Sequence, residues 1–466
     1  MGHSAGDRRD PTPGGAMELL RLAWPLILSN SCWALQIFLE RVMLGWAGGD
    51  QVGAALATAV LFWTPMALFQ NTANYATTFV AQYTGAGRPQ RVGPVIWQSL
   101  YFSLVGGLAF LVLAPAGATL TAWVGHSPHL QALEAPYFSC LCLAAPSFLI
   151  VASAASFFAG RSDSRTVLLI NAVGLAVNAV TSWTLIFGRY GFPAMGIVGA
   201  GLATIVGGAT SAIFALILLF RRRYRAEFGT LTGWRFDPAL FARLMRYGLP
   251  NGVAAALDTL GIALFTLFVG RMGDAQMDAT SVAFALNLVA YLPIFGVGQA
   301  VEILVGRRLG ENDPATAARS TWTGVVCALL ITGVAAAGYV CFPVPMTELF
   351  HSEGPQWERV RAMAPLLLRF VAVYCLFDAM GLIFSCALRG AGDTRFVTIV
   401  SLTVSWLVLV LPTMAVWAWG WGLFWAWVFV SAYVMLLALV YFLRFRQGAW
   451  RSMRVIEPKL AADEAC

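Results

Sequence analysis

Three carboxylates stand inside long apolar stretches of this 466-residue chain: Glu40 in "IFLERVMLG" (37–45), Asp258 in "AALDTLGIALF" (255–265) and Asp378 in "YCLFDAMG" (374–381). A charge at the centre of a bilayer-crossing helix costs roughly 2.5 to 3.5 kcal/mol on insertion scales, so such a residue faces a protein interior or a wet cavity rather than lipid. Acids in that setting mark ion or proton pathways. They can exchange protons, and two of them close together can hold one Na⁺ between their oxygens. Either ion entering down its gradient supplies energy, since one elementary charge crossing 100 mV is worth about 2.3 kcal/mol.

Helical spacing gives each acid polar company. Trp33 and Gln36 lie seven and four residues before Glu40, Asn251 lies seven before Asp258, and Tyr374 and Ser385 flank Asp378 at minus four and plus seven, all on the acid's own stripe. Asn287 and Tyr291, four apart with Phe284 three before, add a further polar stripe. Such stacking predicts a hydrated wall, with Trp33, Gln36, Asn251, Phe284, Asn287, Tyr291 and Tyr374 as the substrate-contacting residues. A single buried acid could equally serve only to fix helix packing; three, two of them in one half of the chain, favour a pathway. Arg41 is expected to snorkel to the headgroups, and Glu302, ahead of Arg307 and Arg308, reads as an interfacial charge.

The elements that must hold these residues are apolar helices. The chain is 59% hydrophobic and 11% charged, against about 25% charged in soluble proteins. Stretches of about 20 apolar residues read as bilayer-crossing helices, and twelve are expected, near 19–45, 53–82, 94–116, 134–158, 166–188, 195–220, 243–269, 279–305, 318–343, 361–388, 396–418 and 421–443. The fold class is therefore an all-α integral membrane protein. The opening "MGHSAGDRRDPTPGGA" has no apolar core or small-residue cleavage site, so it reads as a cytoplasmic tail and not a signal peptide.

Arginines cluster in alternate loops: Arg88 and Arg91, Arg161 and Arg165, Arg221 to Arg225, Arg307 and Arg308, Arg389 and Arg395, and Arg444 to Arg454. The positive-inside rule places both termini and the 221–242 connection in the cytoplasm of a bacterial inner membrane. That placement, and not nucleic acid, explains the net charge of +7. The one lysine is Lys459, so no GxxxxGK[ST] phosphate loop and no intramembrane Schiff base can form. The cysteines lie mostly in helices without a CxxC pair, and His3, His126, His129 and His351 form no metal-ligand motif. The expectation is no enzyme activity, no catalytic residue and no resident cofactor, with Na⁺ or H⁺ as coupling ion and a monomeric chain.

Shifted by 225 residues, the chain overlays on itself: Pro25 on Pro250, Gly45 on Gly270, Gly48 on Gly273, Gly85 on Gly310 and Pro89 on Pro314. "GRSDSR" (160–165) overlays "GAGDTR" (390–395) at a shift of 230 and reads as a tight turn. An even number of spans per unit makes the two repeats parallel, and sites in such transporters lie near the midplane between them. The expected organisation is an N-terminal tail over 1–18, a six-helix lobe over 19–220, a basic linker over 221–242, a second lobe over 243–445 and a C-terminal tail over 446–466.

From "LAWPLIL" (22–28) through "VAQYTGAGR" (80–88), "GFPAMGIVGAGLAT" (191–204), "VAFALNLVAYLP" (282–293) and "VGRRLGEND" (305–313) to "ALRGAGDTR" (387–395), the chain resembles the multidrug and toxic compound extrusion (MATE) family, especially its NorM-type branch. The resemblance implies two six-helix lobes forming a V and export of amphipathic, cationic organic compounds by Na⁺ or H⁺ antiport. By position it makes Asp258 and Asp378 the cation pair, a possible Na⁺ site, of the C-terminal lobe, and Glu40 the acid of the N-terminal lobe. Glu40 replaces that branch's Asp and Asp258 its Glu, which changes reach by a methylene at each. A second branch uses an Asp four residues after an Asn in the fifth span; here Asn178 is followed by Ser182, which weakens that mechanism. A lipid-linked-precursor flippase of the same superfamily is the alternative, and it would require a cationic cavity where these acids predict an acidic one.

Overall fold

The computed structural model describes residues 12–124, 127–351 and 357–457. Lys459, His3 and His126 lie outside the described residues. Within them, twelve helices are long and apolar enough to cross a membrane: α1 (Ala16–Ala47), α2 (Gly49–Gly85), α3 (Pro89–Ala122), α4 (Pro128–Gly160), α5 (Ser164–Phe187), α6 (Ile197–Leu219), α7 (Pro238–Met272), α8 (Asp274–Gly310), α9 (Pro314–Cys341), α10 (Trp357–Ala391), α11 (Thr394–Trp419) and α12 (Leu423–Gln447). Most run past their apolar stretch to the next cap or turn. Asp237 and Asp313 accept from the amides of Leu240 and Thr316, each at 3.0 Å, with proline as the first helical residue of α7 and α9. Side-chain caps of this kind satisfy backbone donors that the helix itself cannot.

The internal repeat is visible in the turns. Four equivalent helix ends close with a left-handed residue, Gly87, Ser162, Asn312 or Gly392. At each, the next residue's amide donates to a carbonyl five residues back: Arg88 to Tyr83 (2.9 Å), Asp163 to Phe158 (2.9 Å), Asp313 to Arg308 (2.8 Å) and Asp393 to Leu388 (2.9 Å). This is the Schellman pattern, which satisfies carbonyls otherwise orphaned at a helix end. Pro25 inside α1 and Pro250 inside α7 repeat likewise.

Packing sorts the two six-helix units into a V. At the end bearing the described termini, one buried cluster draws on both, including Leu19, Phe79, Val95, Leu240, Val297 and Leu304. Towards the other end the cores separate: Met43, Phe62, Phe110 and Leu141 in the first unit, and Phe265, Leu286, Val371 and Trp427 in the second. The bonds between units follow the shared cluster. Asn30 donates to Gln299 (3.0 Å), Tyr75 to the Arg389 carbonyl (2.8 Å), Gln82 to the Gly390 carbonyl (3.0 Å) and Arg308 to Glu18 (2.5 Å). Two contacts obey the pseudo-twofold: a Cβ on Gly85 would lie 2.0 Å from the Arg307 carbonyl oxygen, and one on Gly310 would lie 2.2 Å from that of Gln82.

The linker and tail are built into this closed end. Arg161 lays its guanidinium 4.0 Å over the Phe228 ring and 4.7 Å over those of Phe157 and Tyr224, pinning the short helix Arg222–Phe228 to the first unit. The "GRSDSR" turn is therefore also an anchor for the linker. Beyond α12, Trp450 stacks on Phe445 at 4.8 Å, and the Val455 amide donates to Gln82 (2.9 Å). Glu457 then receives Arg91 (2.9 Å), Arg88 (3.3 Å), the Tyr83 hydroxyl (2.6 Å) and Arg243. The tail of the second unit thus clasps the α2–α3 turn of the first.

Burial pushes the Glu457 carboxyl up, but hydrogen bonds from Tyr83 and Arg91 and the Arg91 charge outweigh it and hold it at about 2. A depressed carboxylate contributes stability above its ordinary range near 4.3 and loses it as pH falls towards about 2. Docking is therefore expected to be insensitive to pH above about 5. Glu457→Gln removes the charge but keeps the shape. Hydrogen bonds to charged groups contribute about 1.5 to 3 kcal/mol, so trypsin should cut after Arg451 and Arg454 about tenfold faster in the variant. Equal cleavage rates would show that Glu457 does not hold the tail.

Candidate functional site

α7 and α10 bring Asp258 and Asp378 within reach of the same two tyrosines, Tyr291 and Tyr433. Asp258 is half-buried and accepts from the Ser401 hydroxyl on α11; Tyr433 on α12 reaches the same carboxylate, and the Arg389 charge lies in range. Close by, α11 passes through a π-helical turn, Ser405–Val410, whose Ser405 hydroxyl would meet a Cβ on Gly261 at 3.1 Å. Such turns recur at functional sites. Asp378 is also half-buried, and among the described residues no donor bonds it. Tyr374 and Cys375 lie within its field, and both Tyr291 and Tyr433 lie within the fields of Asp258 and Asp378 together. Two acids lie near the same tyrosines, one held by hydroxyls and the other open to a ligand.

Glu40 occupies a separate pocket. It is 8% exposed, beside the first unit's own core, and its Oε1 accepts from Tyr137 on α4 at 2.6 Å. Arg41 beside it is exposed. On α5, Asn178 and Ser182 are both buried, with the Asn178 Nδ2 and the Ser182 hydroxyl lacking partners among the described residues.

The seven residues expected to touch substrate divide three ways. Trp33 is 50% exposed, edge-on to Trp63 of α2 at 5.9 Å, and Gln36, Asn287 and Tyr291 are half-buried on α1 and α8, the helices that flank the opening. Asn251 instead bonds across the units to the Asn71 carbonyl at 3.0 Å. Phe284 and Tyr374 are not on an open wall. Phe284 packs between Phe265 and Trp427, and Tyr374, 3% exposed, packs near Trp427 in the second unit's core with its hydroxyl towards Asp378. Helical spacing sets Tyr374 one turn before Asp378 and Phe284 one turn before Asn287, but a stripe does not tell a cleft from a lobe interior.

Glu302 requires a correction. It is not an interfacial charge: Thr78 of the first unit donates to it at 3.0 Å and Arg389 stands 3.9 Å away. Arg389, expected in a turn, lies within α10 with its side chain half-buried at the junction of the units, its Nη2 3.1 Å from the Cys386 sulfur. Arg389 thus lies within the fields of both Glu302 at the junction and Asp258. Gln299, three residues before Glu302 on one helical face, was the sequence signal for that junction. Ser401, Tyr433 and Tyr137 carried no such signal, because a serine hydroxyl in a span usually bonds its own helix backbone and a tyrosine there reads as one more packing aromatic.

Twelve long apolar helices in two lobes joined at one end, with acids inside the spans, have the build of a multi-pass membrane protein. The MatE family model matches residues 25–184 and again 250–414, together more than half the sequence, and the chain belongs to that family. The two matches begin at the two repeat prolines. A relative from Shewanella oneidensis described as "Probable multidrug resistance protein NorM" is 27% identical over 393 residues, 84% of each chain. In three dimensions the chain is similar to a MOP superfamily transporter from Pyrococcus furiosus, with TM-score 0.86 and 19% identity over 94% of this chain and 97% of that one. It is similar too to an outward-facing multidrug resistance MATE family transporter, with TM-score 0.85 and 20% identity over the same shares.

Proposed function

We propose that this protein is a cation-coupled antiporter that exports amphipathic, cationic organic compounds in exchange for inward Na⁺ or H⁺. The reading rests on one observation above all: Asp258 and Asp378 both lie near Tyr291 and Tyr433, and among the described residues no donor bonds Asp378. An acid kept open inside a lobe is suited to a cation that arrives and leaves. Arg389 supplies the link to alternation, because charging or discharging Asp258 changes the balance of forces on a side chain that also faces Glu302 at the junction. For ion and compound to be exchanged, each must bind the two states unequally.

The arginine-rich turns, the linker and both described ends lie at the joined end of the V, which the positive-inside rule assigns to the cytoplasm. On that assignment the structure is closed inwards and open outwards. Trp33, Gln36, Asn287 and Tyr291 then line the route of release. In proteoliposomes, ethidium efflux should follow an imposed Na⁺ or H⁺ gradient and stop when that gradient is collapsed. No gradient-dependent efflux under either ion would reject the antiporter.

A further inference from the structure

We propose that a cavity at the joined end, between α7, the α10–α11 turn and the docked tail, binds a phosphate-bearing anion. The cavity has a volume of about 380 Å³, and its wall carries Arg246 from α7, Arg395 from the start of α11, and Ser452 and Arg454 from the tail. Its one acid, Asp393, is taken by Arg444 at 2.7 Å. Three guanidinium groups are therefore left without balance on the wall.

Several other arginines at this end are matched. Arg88, Arg91 and Arg243 share Glu457, Arg307 and Arg308 share Glu311, Arg308 also takes Glu18, and Arg389 faces Glu302. Arg246 and Arg395 have no carboxylate among the described residues. Arg246 is instead positioned 5.9 Å over the Tyr247 ring. Arg454 is fixed by donating to the carbonyls of Arg451 (3.0 Å) and Met453 (2.7 Å) and to Asn312 (3.5 Å), none of which is an anion. Burial with no counter-charge holds its guanidinium below the ordinary arginine range.

Arg246 and Arg395 are exposed and Arg454 is half-buried, and the turn and the tail close the wall between them. Gly392 adopts a left-handed φ of +105°, and a Cβ there would meet Val455 at 2.8 Å, so the turn and tail close on each other only with glycine. Three arginines along one cavity wall favour a group offering several oxygens, as phosphate does. Basic pockets at the cytoplasmic ends of spans take lipid phosphates in the same way. The phosphate can be carried by a lipid headgroup or be free in solution. Either would join α7 to the tail and so stabilise the docked tail, and by linkage a docked tail would bind it more tightly.

The test uses the full chain in nanodiscs, independently of transport. One arm compares neutral phosphatidylcholine with discs containing phosphatidylglycerol or cardiolipin; the other adds inorganic phosphate or pyrophosphate to neutral discs at constant ionic strength. Binding should raise the Tm and slow tryptic cleavage after Arg451 and Arg454 by about fivefold. Protection in the first arm assigns a lipid headgroup, and protection in the second a soluble phosphate. Arg246→Ala with Arg395→Ala should remove the protection, while Arg221→Ala with Arg223→Ala, on the linker, should keep it. No protection of the wild-type protein in either arm, or equal protection in the Arg246/Arg395 variant, would overturn the site.

Discussion

Asp378→Asn is expected to reduce gradient-driven export by about tenfold or more while the protein still inserts and folds. The magnitude follows from the work available: one charge crossing 100 mV carries about 2.3 kcal/mol, and a rate or equilibrium difference of 1.4 kcal/mol is already tenfold. Retained folding follows from the surroundings. No donor bonds Asp378 among the described residues, so the amide forfeits no hydrogen bond, and removing a partly desolvated charge relieves a penalty. Asp258→Asn should also lose transport, but with some loss of stability, because Ser401 and Tyr433 both address its carboxylate. Efflux from proteoliposomes, normalised to the amount of folded protein, separates these outcomes. Wild-type export by the Asp378 variant would remove this residue from the coupling mechanism.

The contrast between the two acids shows how far the sequence could be read. Apolar runs, the 225-residue repeat and three acids inside spans sufficed for twelve helices, two lobes and the carboxylates, because charge in an apolar run has few physical explanations. Faces were harder to read. In water an amphipathic helix shows which side is buried, but a span is apolar towards lipid and protein alike, so its periodicity is faint. Hence the stripes that carry Phe284 beside Asn287 and Tyr374 beside Asp378 do not tell cleft from core, and near the ends of their spans Glu302 reads as an interfacial charge and Arg389 as a loop arginine. What distinguishes them is the partner lobe: Thr78, Tyr75 and Gln82 are more than 200 residues away in sequence. The same holds for the tail, whose docking depends on Glu457 finding three arginines from two lobes.

The small residues between the lobes lead to the second large effect. Gly85→Ala combined with Gly310→Ala should lower export by about tenfold or more, although alanine is the better helix former by about 1 kcal/mol at each position. Propensity alone predicts a more stable protein. Against it stands the geometry: each new methyl would lie 2.0 to 2.2 Å from a carbonyl oxygen of the other lobe, and backbone cannot rotate aside as a side chain can. Overpacking costs about 1 to 3 kcal/mol per site, so two sites outweigh the gain and penalise the state closed at the joined end. That state also holds Gln82 against Val455 and Gly390, and hydrogen exchange reads it directly. Amides at 80–91 and 449–457 should exchange about tenfold faster in the variant, with those in the separate outer cores unchanged. Export and exchange both at wild-type levels would mean that the lobes do not depend on this contact to close; slower exchange would mean that helix propensity outweighs the clash.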